Sequence, residues 1–124
     1  MNQKFYKCEH CGQIVFMMKE ENAPLMCCGT KMKEIIAGTT EASLEKHIPE
    51  YNVERNVVKV NVGSVEHPMT QDHFIEWISL QTKNGNQIKF LSPEIKPYAE
   101  FFIDEQDQIE AVYAYCNLHG LWKS

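Results

Sequence analysis

The chain has 124 residues, 44% hydrophobic and 23% charged, enough for one ordinary domain or for a small domain followed by a compact larger one. Twelve basic against seventeen acidic residues give a formal net charge of -5, which argues against general nucleic-acid binding and means that an anionic substrate must be drawn in by local positive charge. No apolar run approaches the ~20 residues of a membrane span, and the N-terminal MNQKFYKCEH lacks the basic-then-apolar layout of a signal peptide. A cytoplasmic location is expected, where cysteines serve as metal ligands more often than as disulfides.

Residues 1–36 hold four of the five cysteines and little that could form a core. They are expected to be a small separate domain that folds around a metal, with strands over 4–7, 13–18 and 31–35. Ala37-Gly38-Thr39-Thr40 reads as a short linker opening a second domain, residues 37–124. There, residues 42–46 can form at most a helical turn. The valine-rich alternation of NVVKVNVG predicts a strand over 56–63, and FIEWISLQTK a strand over 74–83. A type I′ turn at Asn84-Gly85 is expected to lead into a return strand over 87–91. Pro93 and Pro97 bracket a loop or edge segment. Strands over 100–103 and 109–115 flank the acidic turn Asp104-Glu105-Gln106-Asp107. Short strands with turns at this spacing predict an all-β chain whose larger domain is a β-sandwich.

All five cysteines and four of the five histidines fall into two groups. The first is Cys8-x-x-Cys11 with the adjacent pair Cys27-Cys28. Cys-x-x-Cys lets two thiolates chelate one ion from a tight turn, and four thiolates make a closed tetrahedral site that suits zinc or iron. Adjacent cysteines curl around an ion less freely than a second Cys-x-x-Cys, so strain is expected there. His10 lies inside the chelate loop and reads as an exposed loop residue. The second group is His47, His67, His73 and Cys116-x-x-His119, all at strand ends or in loops, where sites are usually built. Taken singly, each histidine reads as an ordinary surface or hydrogen-bonding residue, and Cys116 equally as a small buried hydrophobe. More nitrogen than sulfur suits a metal that meets substrate.

At these residues the chain resembles a known family. Cys8-x-x-Cys11 with Cys27-Cys28 resembles desulforedoxin. Glu45-Lys46-His47, His67-Pro68-Met69-x-x-x-His73-x-Ile75-x-Trp77 and Cys116-Asn117-x-His119-Gly120 resemble the catalytic domain of superoxide reductase. In this order, and over nearly the whole chain, they resemble the desulfoferrodoxins, the two-iron superoxide reductases. The resemblance implies a desulforedoxin-like Fe(Cys)4 domain followed by an immunoglobulin-like β-sandwich. It implies one iron on Cys8, Cys11, Cys27 and Cys28, and a second with equatorial His47, His67, His73 and His119, axial Cys116 and an open sixth position. The activity implied is one-electron reduction of superoxide to hydrogen peroxide without dioxygen, with electrons from rubredoxin or a similar donor, in a homodimer. Lys46 would supply positive charge and organise water for proton delivery. Glu45 would be the sixth ligand of the oxidised resting iron. Without the resemblance, Glu45 and Lys46 read as a weak surface pair. Val15, Phe16, Met17 and Leu25 are candidates for packing on a partner chain, and Tyr115 and Trp122 for shielding the second site. Two other readings remain open: an electron carrier with metal only at the four cysteines, and a structural zinc-knuckle adaptor.

Overall fold

The structure, a computed structural model, describes residues 3–124. It divides between Ile36 and Ala37 into two compact units.

In the first unit, β1 (Lys4–Lys7) lies between β2 (Ile14–Met17) and β5 (Lys33–Ile35) in an antiparallel sheet. Alternation along KFYK turns Phe5 inward, opposite Phe16 and Ile35, with the two phenyl centroids 5.4 Å apart. A tight hairpin of β3 (Met26–Cys27) and β4 (Thr30–Lys31) completes the unit. The expected strand over 31–35 is therefore split. Met32, between its halves, is buried and donates its N–H to Leu25 O at 2.8 Å. Among the described residues, Phe5, Cys8 and Met32 are the buried apolar side chains of this unit, too few to fold a chain this short unaided.

The second unit begins with one helical turn, α1 (Leu44–His47), which overlaps the segment 42–46 expected to form at most a turn and extends one residue beyond it. Its strands are β6 (Pro49–Glu54), β7 (Val57–Val62), β8 (Ile75–Thr82), β9 (Asn86–Phe90), β10 (Tyr98–Phe102), β11 (Ile109–Cys116) and β12 (Gly120–Lys123). They form two antiparallel sheets, ordered β10-β7-β6 and β12-β11-β8-β9. Val58, Val60, Val62 and Phe101 from the first sheet bury against Ile78, Leu80, Val112 and Ala114 from the second. Two sheets on one core make the expected all-β sandwich. Cys116 ends the inward row Val112, Ala114, Cys116 and is fully buried at that end of the core. On the outer face Trp77 and Tyr115 stack at 5.4 Å and 7°. Among the described residues, no helix is long and apolar enough to cross a membrane.

One expected turn differs. Neither Asn84 nor Gly85 has a positive φ, so the β8–β9 connection is not type I′. Thr82 and Gly85 close it, and the acidic loop beside it dictates its shape: Lys83 N–H donates to Gln108 O (2.8 Å) and Asn84 N–H to Asp107 Oδ1 (3.2 Å).

Candidate metal centres

In the first unit the sulfur atoms of Cys8, Cys11, Cys27 and Cys28 lie within 4.8 Å of one another. Two local devices gather them. Cys8 N–H donates to Gln13 O and Gly12 N–H to Cys8 O, each at 2.9 Å, which folds Cys8-x-x-Cys11 into a closed turn. Cys27 pairs with Thr30 across the hairpin, leaving Cys28-Gly29 as its two turn residues. Their φ values are +53° and +76°, the two positive angles a type I′ turn requires. The adjacent cysteines are thus the last residue of a strand and the first of a turn, with their sulfurs 4.0 Å apart. Placing a non-glycine residue in the left-handed region costs about 1–2 kcal/mol, a backbone strain at Cys28 separate from the strain expected around the ion. Without a cation, Cys8 and Cys27 are pushed in opposite directions. The backbone N–H of Cys11, ahead of that of His10, brings Cys8 down to about 6 against burial. Neighbouring sulfurs, Cys11 first, push Cys27 up to about 12. Four thiolates at this spacing need a metal to coexist. His10 is exposed, as expected.

In the second unit α1 carries His47, the β7–β8 loop carries His67 and His73, and the β11–β12 turn carries His119. Around the ring His47–His67–His73–His119, successive imidazole centroids lie 4.6, 4.7, 5.0 and 4.9 Å apart, with interplanar angles of 79–82°. The diagonal pair His47–His73 is 6.3 Å apart. Four rings therefore close a square, each nearly perpendicular to the next. His47 Nε2 is 3.1 Å from both His67 Nε2 and His119 Nδ1. The donor atoms of His47, His67, His73 and Cys116 lie within 4.8 Å of one another, and Cys116 Sγ is 3.9 Å from His119 Nδ1. Five donors converge from one helical turn, one loop and one hairpin turn.

The tautomers suit a metal. His47 Nδ1 donates to Ser43 O and His67 Nδ1 to Pro68 O, each at 2.7 Å, leaving both Nε2 lone pairs aimed at the cluster. Burial lowers the pKa of His47 and His73 and takes His67 down to about 4, so these rings are neutral donors at neutral pH. Burial raises Cys116, opposed by the N–H groups of His119 and Leu118. His73 Nε2 is buried with no hydrogen-bond partner. A cation held by these donors would satisfy that nitrogen and offset the cost of a buried thiolate.

Lys46 is half-buried, and its charge adds to the burial that depresses His47 and His73. Glu45 is exposed, and its carbonyl accepts Val65 N–H (2.9 Å) and Ser64 Oγ–H (3.2 Å). Three contributors had no role assigned to them from the sequence, although Met69 and Asn117 stand in the motifs quoted above. Gly63 lets β7 approach α1 so closely that a Cβ there would lie 2.5 Å from Glu45 O; a glycine ending a strand is the available signal. Met69 Sδ accepts Ile75 N–H at 3.4 Å, tying the loop that bears His67 to the start of β8. Asn117 brackets His73 with two side-chain bonds. Trp122, a candidate shield, packs on His47 at 4.9 Å and donates Nε1–H to His119 O at 3.0 Å. Tyr115 instead stacks with Trp77 on the outer face of the sheet.

A four-sulfur cluster in a small β unit, and a four-imidazole, one-sulfur cluster at the end of a β-sandwich, define a two-centre metalloprotein. Residues 39–124 match the desulfoferrodoxin family and residues 1–35 its N-terminal domain. The chain is 46% identical over 121 residues to a desulfoferrodoxin of Nitratidesulfovibrio vulgaris, covering 98% of this chain and 94% of that one. It is 36% identical over 98 residues to a superoxide reductase of Pyrococcus horikoshii, covering 64% of this chain and 84% of the relative. The crystal structure of the superoxide reductase from Treponema pallidum superposes with a TM-score of 0.84 at 35% identity, covering 100% of this chain and 99% of that one. The chain belongs to the desulfoferrodoxin family.

Proposed function

We propose that the protein is a superoxide reductase, adding one electron and two protons to superoxide to give hydrogen peroxide, with no release of dioxygen, in defence against oxidants. The observation that carries this reading is the square of four imidazoles converging with one buried cysteine sulfur. Five donors exceed the four of a structural zinc site, and a mixed nitrogen–sulfur set suits redox iron. An electron carrier or zinc adaptor would leave this second cluster without a use.

We assign Cys8, Cys11, Cys27 and Cys28 to one iron, as an accessory electron-transfer centre, and His47, His67, His73, His119 and Cys116 to the other. Iron held by the second set would supply the one-electron redox chemistry that superoxide reduction needs. The Ser43 and Pro68 carbonyls hold His47 and His67 in the donor tautomer. Lys46, next to His47 in the chain, draws the anion in against the net charge of -5 and organises water for proton delivery. Glu45, on the same turn, is the carboxylate available to the site in the oxidised resting protein. Trp122 keeps water from the His47 flank. Each turnover consumes an electron, so an external one-electron donor such as rubredoxin restores the reduced protein. The half-buried Val15, Phe16, Met17 and Leu25 are the surface on which the small unit meets a second copy in a homodimer.

Metal content and absorption, measured before and after mild oxidation, test this reading. It requires two irons per chain, a ferric tetrathiolate spectrum, and a new long-wavelength thiolate-to-iron band on oxidation. One metal per chain in a fully loaded sample, or zinc with no oxidation-dependent band, overturns it.

A further inference from the structure

His47 and His67 are oriented by their own Nδ1–H bonds to carbonyls. Among the described residues no comparable ring bond holds His73, whose Nε2 is buried and unpartnered. The backbone around it is fixed instead. Thr70 and His73 form a closed turn, with Thr70 N–H donating to His73 O at 2.9 Å and Thr70 Oγ1 accepting His73 N–H at 3.2 Å. From across the site, Asn117 Oδ1 accepts Phe74 N–H at 2.9 Å while its Nδ2 donates to Asp72 O at 3.0 Å. One amide therefore spans both residues flanking His73. Asn117 N–H adds a bond to Phe74 O at 3.2 Å. Asn117 stands between Cys116 and His119, so a single side chain ties the loop of one imidazole donor to the turn that carries the sulfur and another imidazole.

We infer that Asn117 is a positioning residue for the second centre: its amide sets where His73 stands relative to Cys116 and His119, and through His73 it sets the affinity and reduction potential of the metal. The chemistry asks for an amide in particular. One acceptor and one donor are needed side by side. Aspartate keeps the acceptor but turns a carboxylate on the Asp72 carbonyl, and alanine offers neither group. The inference rests on the reading of the five-donor cluster as a metal centre.

The test uses full-length Asn117→Ala and Asn117→Asp. Cobalt(II) affinity at the second centre is measured by chelator competition, the potential of the iron-loaded centre by titration, and thermal unfolding on metal-free chain. The spectrum of the four-cysteine centre is the internal reference. Asn117→Ala is expected to lose about 10–100-fold in metal affinity, with a shifted potential and thiolate-to-metal band, and Asn117→Asp a smaller part of the same change. The four-cysteine spectrum is expected to stay as in the wild type. Wild-type affinity and potential in both variants overturn the inference. So does an affinity loss matched by an equal loss of stability in the metal-free chain. If Asn117→Ala does not fold, Asn117→Asp decides by the same two readouts. A wild-type chain that takes up no metal at the second centre removes the proposed function, and this inference with it.

Discussion

The two units gather their donor atoms in opposite ways. In the first, Cys8 and Cys11 come from one turn and Cys27 and Cys28 from one hairpin, around a core of little more than Phe5, Cys8 and Met32. In the second, the donors come from α1, the β7–β8 loop and the β11–β12 turn, which meet because two sheets share the core built on Val58, Val60, Phe101, Leu80 and Val112. Nothing local brings His47 to His67 or either of them to His119. The first unit has so little core that a metal would complete its fold, whereas the second fold prepares a site for its metal.

Complete removal of metal should break this comparison most visibly if it is wrong. Amide exchange is expected to lose protection throughout β1, β2 and β5, because a small unit without its metal has too little core, while β8 and β11 stay protected. Persistent protection of β1 in metal-free protein would mean that the first unit has enough core of its own. Next in size is Cys116→Ser. It is expected to abolish both the thiolate-to-iron band and superoxide reduction, with the four-cysteine spectrum unchanged. A persisting band would show that Cys116 is not the sulfur donor.

Acid titration of the metal-free chain sharpens the picture of a prepared site. An unfolded chain protonates His67 near 6.5, whereas the folded chain does so at about 4. Between those values the unfolded state binds the extra proton, so stability of the second unit should fall as pH drops from about 6.5 towards 4. His67→Gln should flatten that decline; an identical decline in the variant would assign it to other groups. The smallest effect is expected for Lys46→Ala, a fall of roughly tenfold in superoxide capture at low ionic strength that shrinks as salt is added. Metal content should not change. Unchanged capture at low salt would remove Lys46 from the steering role.

How much of this was legible in the sequence follows the same division between local and tertiary causes. NVVKVNVG and FIEWISLQTK alternate or run apolar because they line the core, and they became β7 and β8 with their ends trimmed by a residue. PEYNVE was missed as β6 because it is an edge strand in which only Pro49 is buried, leaving no inward row to read. The type I′ turn expected at Asn84-Gly85 sits instead at Cys28-Gly29. At the first position bonds from Gln108 and Asp107 override the local preference, and at the second the turn serves the placement of two sulfurs. The donor residues stood out by type and grouping. Their supports did not: the carbonyls of Ser43 and Pro68 are carried by every residue, and Gly63 and Asn117 act only where distant segments meet.

The most direct test of the central claim is the stoichiometry of products when chemically reduced, fully metallated protein meets a known amount of superoxide. The account predicts one hydrogen peroxide for each superoxide consumed, no dioxygen, and one electron withdrawn from the protein per turnover. Half as much peroxide, with dioxygen making up the balance and no net oxidation of the protein, would contradict it.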